Sequence, residues 1–563
     1  MSTIWKIAES PFLPAVSLSE SPYSNLMQKF LALRGFHTEE EIQKLLFPSL
    51  SSLYDPFLMK GIQRSAQRIL SAIDRKETIL VHGDYDVDGI TGAAVLSRTL
   101  EKLNAKFVTF LPVRKRDGYG VSKESLQLAK EKKVSLFITV DCGITAFEEA
   151  KEARQAGIDV IIIDHHRIHG GGMPEAFEII NPLQEDCTYP FKELSACGLA
   201  FKLAQALLGQ GAYEFLDLVA LSCVCDVAPL IDENRILVSF GLQKLGARGQ
   251  AGFKSLCEVA SLKRRKIQAS DLGFILGPRI NASGRMSSPE TDLKLLTTND
   301  PEEAGCLARV LDEENKTRQQ EERLLLKQAL QAVEREINFN HDRVIVVSGD
   351  GWHEGVIGIV AQRLVEYFMR PAFVIAFDGA LGKGSGRSVK GFHLFHGLEH
   401  CQEVLEEFGG HELAAGLTIK KKNLQAFRKK MNEYGKTISP DVFLRSVRID
   451  LEVSFQDLSS QFLRELSLLE PFGAGNPKPV FLTRGVRTKC DPERLGSNGF
   501  RWWVTDGAMT FEAVWRSRGM PLAFPESESY TMVYSTKLKS WDGIDSLILE
   551  VRDVKEGELV NNR

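Results

Sequence analysis

No apolar run in this chain approaches the roughly 20 residues that span a bilayer, so no membrane segment and no membrane partner are expected. Its opening, MSTIWKIAESPFLPAV, has no basic stretch followed by an apolar one, and no secretory signal is expected from it. The nine cysteines are odd in number and none stands in a Cys-x-x-Cys pair. That argues against a disulfide framework and for a reducing compartment, with the cytoplasm as the expected location. Cys223 and Cys225, inside an apolar run, are expected to be core thiols. Neither sign of charge dominates: the formal net charge is −4, which withholds the global signature of a nucleic-acid binder without excluding a local one. Internal repeats and low-complexity tracts are also missing. Neither His353-Glu354 nor His411-Glu412 continues into HExxH, which excludes a zincin, and GKGSGR is neither a Walker loop nor a dinucleotide fingerprint.

What the chain does have is length and alternation. At 563 residues it should hold three or four domains, and 43% hydrophobic with 26% charged residues is ordinary for a globular protein. Residues 1–75 read as a mostly helical extension with a Pro-containing connection around LFPSLSSLYDPF. From residue 76 to 299, short β-rich runs alternate with helical stretches. TILV (78–81), LFITV (136–140) and DVIII (159–163) are nearly continuous in apolar residues, as strands buried on both faces of a parallel sheet should be. The spacing predicts a doubly wound α/β domain. Asp300-Pro301-Glu302-Glu303 signals a helix start and opens a helical linker over 300–340. A second, smaller α/β lobe is expected over 341–436, beginning at RVIVVSGD, and a small OB-like β-barrel over 437–563.

The chemistry concentrates in acids that follow apolar runs. Asp84, Asp86 and Asp88 follow TILV, Asp141 follows LFITV, Asp164-His165-His166 follows DVIII, and Asp226 follows LVALSCVC. Ligands of open parallel sheets bind beyond the carboxyl ends of the strands, so acids at several neighbouring strand ends would converge. Converging carboxylates repel one another unless cations offset them. Oxygen ligands with one or two imidazoles suit Mn2+ or Mg2+ better than zinc. This many ligands predicts two divalent ions about 3.5–4 Å apart, bridged by a carboxylate, the arrangement suited to in-line phosphoryl displacement.

These motifs resemble the DHH phosphoesterase superfamily: HGDYDVDG, the lone Asp141 in TVDCG, DHH at 164–166 and VCDVAPL. GPRINASGR, GWHEGVIGIVA, GSGRS, GGHELAAG and EPFGAGNPKPVF are similar to its branch of single-strand-specific 5′→3′ exonucleases. The resemblance implies that Asp86, Asp88, Asp141, His165 and Asp226 are metal ligands with His166 beside them. His82 would be a supporting ligand, and Asp84 a ligand or an orienting acceptor. It also implies an exonuclease releasing 5′ mononucleotides in DNA repair and recombination. A single-strand-binding protein and a helicase would be its partners, and the internal lobes with a barrel suit a monomer. The alternative is a related phosphoesterase acting on short oligonucleotides or nucleotide phosphates.

The substrate contacts are expected in several places. In GPRINASGR, Arg279, Asn281 and Arg285 place two guanidinium groups and an amide around a Gly-containing turn, suited to phosphate oxygens. Under the resemblance, Arg285, Ser385 and Arg387 would cradle the terminal 5′ phosphate and His411 would contact the scissile one; Arg114 would line the strand path. The basic runs at 114–116, 263–266, 420–422 and 428–430 count only in combination. Trp502, Trp503, Phe511, Trp515, Tyr534 and Trp541 offer stacking faces in the barrel. Trp502 and Trp503 are adjacent in a strand, so they should face opposite ways and one should be core.

Overall fold

In the computed structural model the described residues are 3–8, 22–113, 118, 120–168, 172–262, 266–286, 288–496, 498–517, 524, 527–541 and 544–557. The chain divides into two compact units, Glu39–Arg318 with Leu468–Pro477, and Met1–Thr38 with Gln319–Ser467 and Lys478–Arg563.

The first unit is built on five parallel strands. In spatial order these are Lys106–Phe110, Thr78–Gly83, Val134–Val140, Asp159–Ile163 and Glu178–Ile180. Successive side chains point to opposite faces. Ile79, Val81, Ile138, Val140, Ile161 and Ile163 pack against a layer that includes the helices Val87–Lys102, Ala196–Leu208 and Leu216–Cys225. Leu80, Phe137, Val160 and Ile162 pack on the other face, with Leu126 and Ala129 of Lys123–Glu131 and Ala153 of Phe147–Gln155. Both faces are dry, which is why the strand runs are continuously apolar. The edge strands Lys106–Phe110 and Glu178–Ile180 were not anticipated: one begins with lysine and stays half exposed, the other is three residues long.

One expectation fails here. The run LVALSCVC before Asp226 lies in a helix, Leu216–Cys225, buried on nearly every side. Apolar residues all round a helix erase its period, so the run is indistinguishable from a buried strand. Among the described residues, Ala196–Cys225 is long and apolar enough to cross a membrane by length and composition alone. It is two helices separated by the 3-10 turn Gly209–Phe215, and both lie in the core.

An ion pair is sealed in this core. Lys202 Nζ lies 2.6 Å from Glu233 Oε1 with neither side chain exposed, and Tyr189 donates to Glu233 Oε2 at 2.6 Å. Removing one partner strands the other charge. Lys202→Met is therefore expected to lower unfolding free energy by about 3–5 kcal/mol, read by urea denaturation, and Lys202→Met/Glu233→Met by less.

In the second unit, the 36-residue helix Pro301–Glu336, which begins in the first, leads into a five-stranded mixed sheet. Its order is Glu407–Gly410, Ala414–Lys420, Leu381–Arg387, Ala372–Asp378 and Ile345–Asp350, and only the last two strands pair in parallel. Further on, Phe481–Thr488, Gly499–Thr505, Thr510–Arg516, Ile544–Glu556 and Tyr530–Trp541 pair in a ring that returns to its first strand. This closed five-stranded arrangement is OB-like. The N-terminal segment is not purely helical: Ile4–Ile7 is a strand that pairs in parallel with Ser446–Ile449.

Candidate active site

Strand register brings the acids together. Gly83, Val140, Ile163 and Ile180 sit side by side across neighbouring strands. The residues that follow, Asp84, Asp141, Asp164 and Asn181, therefore emerge at one edge. The Asp141 amide donates to Ile163 O at 2.9 Å and the Asp164 amide to Ile180 O at 3.1 Å, carrying the alignment one residue past the strands. Asp141 has φ 65°, in the left-handed region that a non-glycine residue occupies at a cost and that recurs at functional sites.

Asp86 caps the helix Val87–Lys102, its Oδ1 accepting from the amides of Asp88 at 2.9 Å and Gly89 at 3.3 Å. Gly89 is needed for contact, since a Cβ there would stand 2.3 Å from the Asp84 nitrogen. Asp88 is held by the N-terminus of Ala196–Leu208. Its two oxygens accept from the amides of Ala196 at 2.8 Å and Cys197 at 2.7 Å, and Ser222 Oγ donates to Oδ1 at 2.6 Å. Asp226 arrives from a helix C-terminus rather than a strand end.

The imidazoles complete the cluster. His165 Nε2 lies 3.3 Å from Asp141 Oδ1 and 3.8 Å from Asp88 Oδ2, and its Nδ1 lies 3.8 Å from Asp226 Oδ2. His166 Nδ1 lies 2.7 Å from Asp164 Oδ1 and 3.9 Å from Asp141 Oδ1. Three sets of ligand atoms lie close enough to hold a cation: Asp84, Asp86 and Asp141; Asp141, His165 and His166; Asp88, His165 and Asp226. Asp141 and His165 each belong to two sets, and of the two only the carboxylate has oxygens that neighbouring cations could share. Asp141 Oδ1 is buried and accepts no hydrogen bond among the described residues. A buried carboxylate oxygen without a donor fits a cation.

Asp164 has a different task. Its Oδ1 accepts from the amide and Nδ1 of His166, and its Oδ2 from the Ile144 amide at 3.0 Å. The carboxylate orients the imidazole, as groups behind metal ligands commonly do. Sequence reasoning missed Asn181, whose side-chain amide donates to His166 O at 3.0 Å, and Ser222. Asn181 ends an apolar run too short to register; Ser222 is hidden inside an apolar helix.

Crowding shows in the acidities. Burial, then Asp88, pushes the Asp86 carboxyl up. Burial, then Asp88, Asp86 and Asp84, pushes Asp141 well up. Asp226 is raised to about 8 by burial and then by Asp88 and Asp86, with 31% of its side chain still exposed. Burial alone would raise Asp164 and lower His166, but their mutual hydrogen bond reverses both. The folded, metal-free protein thus retains carboxyl protons that the unfolded chain has lost. Its stability should fall as pH rises from about 4 to about 8. A divalent cation at about 100 times its Kd should return about 2.7 kcal/mol at pH 8, seen as a Tm rise of several degrees. A flat Tm in both titrations would remove the electrostatic account.

Other expected site residues go elsewhere. His82 is fully buried between the rings of Phe110 and Phe137, with Cys142 Sγ 3.6 Å from Nδ1, and belongs to none of the three sets. GPRINASGR is not a turn: Gly277–Met286 is a helix that backs the acidic loop. Asn281 Oδ1 accepts from the Val87 amide at 3.2 Å, and a Cβ on Gly284 would stand 2.5 Å from Tyr85 O. Arg279 is engaged internally, with Asp312 at 2.9 Å and Ile275 O at 2.6 Å. Asn281 and Arg279 thus each have a partner within the first unit. Arg114, the basic runs at 114–116 and 263–265, and the side chains of Arg285 and Trp541 lie outside the described residues.

In the second unit, Arg387 Nη1 donates to Ser385 Oγ at 3.1 Å, on the sheet face covered by Glu354–Phe368. A Cβ on Gly358 of that helix would stand 3.0 Å from Ser385 Oγ and 3.1 Å from Arg387 Nη2. His411 is exposed in the turn between Glu407–Gly410 and Ala414–Lys420. The basic runs there are largely neutralised: Lys420 pairs with Glu406, Lys421 with Asp350, Arg428 with Glu336 and Lys430 with Glu403. In the barrel Trp502 is core, its Nε1 donating to Tyr530 OH at 2.8 Å, whereas Trp503 is 50% exposed. Tyr534 and Trp515 are also buried.

A model of the DHH family, N-terminal domain, matches residues 78–223, and the DHHA1 domain matches 341–437. The first match covers the parallel sheet with its strand-end acids and the Asp-His-His turn. The RecJ OB domain matches residues 449–553. The chain is 39% identical over 498 residues to the single-stranded-DNA-specific exonuclease RecJ of Bacillus subtilis (strain 168), which covers 88% of this chain and 63% of that protein. To its counterpart from Escherichia coli (strain K12) it is 34% identical over 483 residues, 81% of this chain and 82% of the relative. The crystal structure of RecJ from Thermus thermophilus with Mn2+ matches with a TM-score of 0.84 at 30% identity, over 99% of this chain and 80% of that one; with Mg2+ the TM-score is 0.78 at 28% identity. The chain belongs to the RecJ family.

Proposed function

We propose that the chain is a metal-dependent exonuclease that hydrolyses single-stranded DNA from the 5′ end to 5′ mononucleotides. The observation that carries it is the convergence of Asp84, Asp86, Asp88, Asp141, His165, His166 and Asp226 in three overlapping ligand sets, with the buried Oδ1 of Asp141 accepting no hydrogen bond among the described residues. Relatives named single-stranded-DNA-specific exonuclease, one of them solved with Mn2+ and with Mg2+, support the same reading.

In this proposal those five residues hold two divalent ions, Mn2+ or Mg2+, with Asp84 alongside. Bound there, the ions would supply Lewis-acid charge to a phosphodiester and to the water that attacks it. The protein's own residues do the rest. Asp141 and His165 tie neighbouring ligand sets together. The helix N-terminus at Ala196 fixes both oxygens of Asp88, so that carboxylate needs no reorganisation. Asp164 accepts the Nδ1 proton of His166 and leaves Nε2 as the nitrogen presented outward.

The proposed substrate contacts come from both units. Ser385 and Arg387 of the second unit and Arg285 of the first are the proposed ligands of a terminal 5′ phosphate, which would set polarity. His411 is the proposed contact of the scissile phosphate, and Arg114 of the strand path. The face of Trp503 stacks on a base without reading sequence, worth about 1–3 kcal/mol. Single-strand-binding protein and a helicase as partners, a monomeric state and a cytoplasmic location complete the proposal; all nine cysteines are free thiols.

The test uses single strands labelled at either end, with Mn2+ or Mg2+. The 5′ label should appear first as a mononucleotide, and a blunt duplex should stay intact. First release of the 3′ label, or internal cutting, would overturn the proposal.

A further inference from the structure

Residues 468–477, LLEPFGAGNP, are flanked on both sides by chain of the barrel-bearing unit, yet they fold into the unit that carries the acids. Arg235, near the start of the helix Asp232–Arg248, holds one end. It is 2% exposed, and its Nη1 donates to Leu469 O at 2.9 Å, its Nη2 to Leu468 O at 3.0 Å and Glu470 O at 2.9 Å. Its Nε donates to Leu45 O at 2.6 Å. Burying a guanidinium against main-chain carbonyls is a costly way to gain packing alone; its fork fixes a backbone path. Asn476 closes the segment on itself, its Nδ2 donating to Leu469 O at 2.8 Å and Pro471 O at 2.9 Å, while the Gly473 amide donates to Asn476 O at 3.0 Å.

The closed segment grips the residues after Asp226. The Leu230 amide donates to Ala474 O at 2.7 Å. Gly475 has φ 70°, and a Cβ there would stand 3.0 Å from Pro229 Cβ and 3.2 Å from Ile231 Cγ2. A Cβ on Gly473 would stand 2.6 Å from Leu230 Cδ1. From the other side, Asn234 Nδ2 donates to Pro229 O at 3.1 Å and Glu193 O at 2.6 Å. Between this clamp and Asp226 lies Val227, at φ 60° and 69% exposed. That conformation closes the helix Leu216–Cys225, the Val227 amide donating to Val224 O at 3.3 Å and the Ala228 amide to Cys223 O at 2.9 Å. The clamp on Pro229 and Leu230 fixes the chain as it leaves this cap, whose first residue is Asp226.

We propose that 468–477 is a positioning element for Asp226. Arg235 and Asn476 shape it, and its grip on Pro229 and Leu230 anchors the chain just beyond the helix cap from which the carboxylate reaches His165. This rests on the reading of Asp226 as a metal ligand. The segment touches neither substrate nor the reacting atoms.

The test compares full-length Gly475→Val, Asn476→Ala and Asp226→Ala by Mn2+ calorimetry without DNA and by steady-state kinetics. Gly475→Val and Asn476→Ala should each weaken Mn2+ binding about tenfold. The loss of kcat should disappear at saturating Mn2+, with the KM for DNA unchanged within twofold. Asp226→Ala should weaken binding without rescue. If Asp226→Ala binds Mn2+ normally, the ligand reading falls; if it does not but the other two do, the positioning proposal falls. Should neither segment variant fold, hydrogen exchange of the wild-type protein decides. Amides of 227–231 and 473–476 should gain protection together on adding Mn2+, and protection of one group alone overturns the proposal.

Discussion

Asp141→Asn is expected to leave a folded protein whose hydrolysis of single-stranded DNA falls by about 10³-fold or more at saturating metal. Asparagine keeps the volume and tolerates the left-handed backbone at φ 65°, so the substitution removes charge and little else. The size of the effect follows from sharing. Asp141 belongs to two ligand sets, and its Oδ1 is the atom that His165 and His166 both approach, at 3.3 and 3.9 Å. A second readout separates loss of chemistry from loss of fold. With one repelling carboxylate gone, the metal-free variant should melt above the wild type, and its stabilisation by Mn2+ should shrink. Hydrolysis at the wild-type rate with metal bound would remove Asp141 from the mechanism.

Truncation at residue 440 is expected to abolish hydrolysis of short oligonucleotides as well as long strands, by about 10²-fold or more. An enzyme made only of the two α/β lobes would tolerate that cut, since it removes what looks like a separate binding barrel. Here it also removes 468–477, which belong to the catalytic unit. A chain ending at Pro477 should keep hydrolysis of short strands and lose affinity for long ones. Equal short-strand rates from the two truncations would show that the segment is dispensable.

The strands that carry the acids were legible because the environment that makes them strands also marks them. Buried on both faces, Ile79 to Val81 and Val160 to Ile163 have no polar position to interrupt the run, and strand register does the rest. Asp226 was legible as a member of the acidic cluster but not in its placement, because a helix apolar all round leaves the same trace as a buried strand. At Arg279 and Asn281 the residue type left the internal partners unread. A guanidinium and an amide beside glycines look like phosphate ligands, yet one pairs with Asp312 and the other accepts from the Val87 amide. Residue type reveals bonding capacity and not the partner, which is set by chain many residues away. The same holds for Arg235, whose partners at Leu45 and Leu468 to Glu470 no local pattern could name. In the Trp502–Trp503 pair the strand period sufficed: one ring is core and the other half exposed.

The strand Ile4–Ile7 finds its partner only at Ser446–Ile449. On a ribosome adding about 5–20 residues per second, about 440 residues take about 20–90 s to arrive. Through that interval the first strand has no neighbour, and the catalytic unit still lacks 468–477. Neither unit can be finished until most of the protein has been made. A chain released early would carry the acids of the site without the segments that complete either unit.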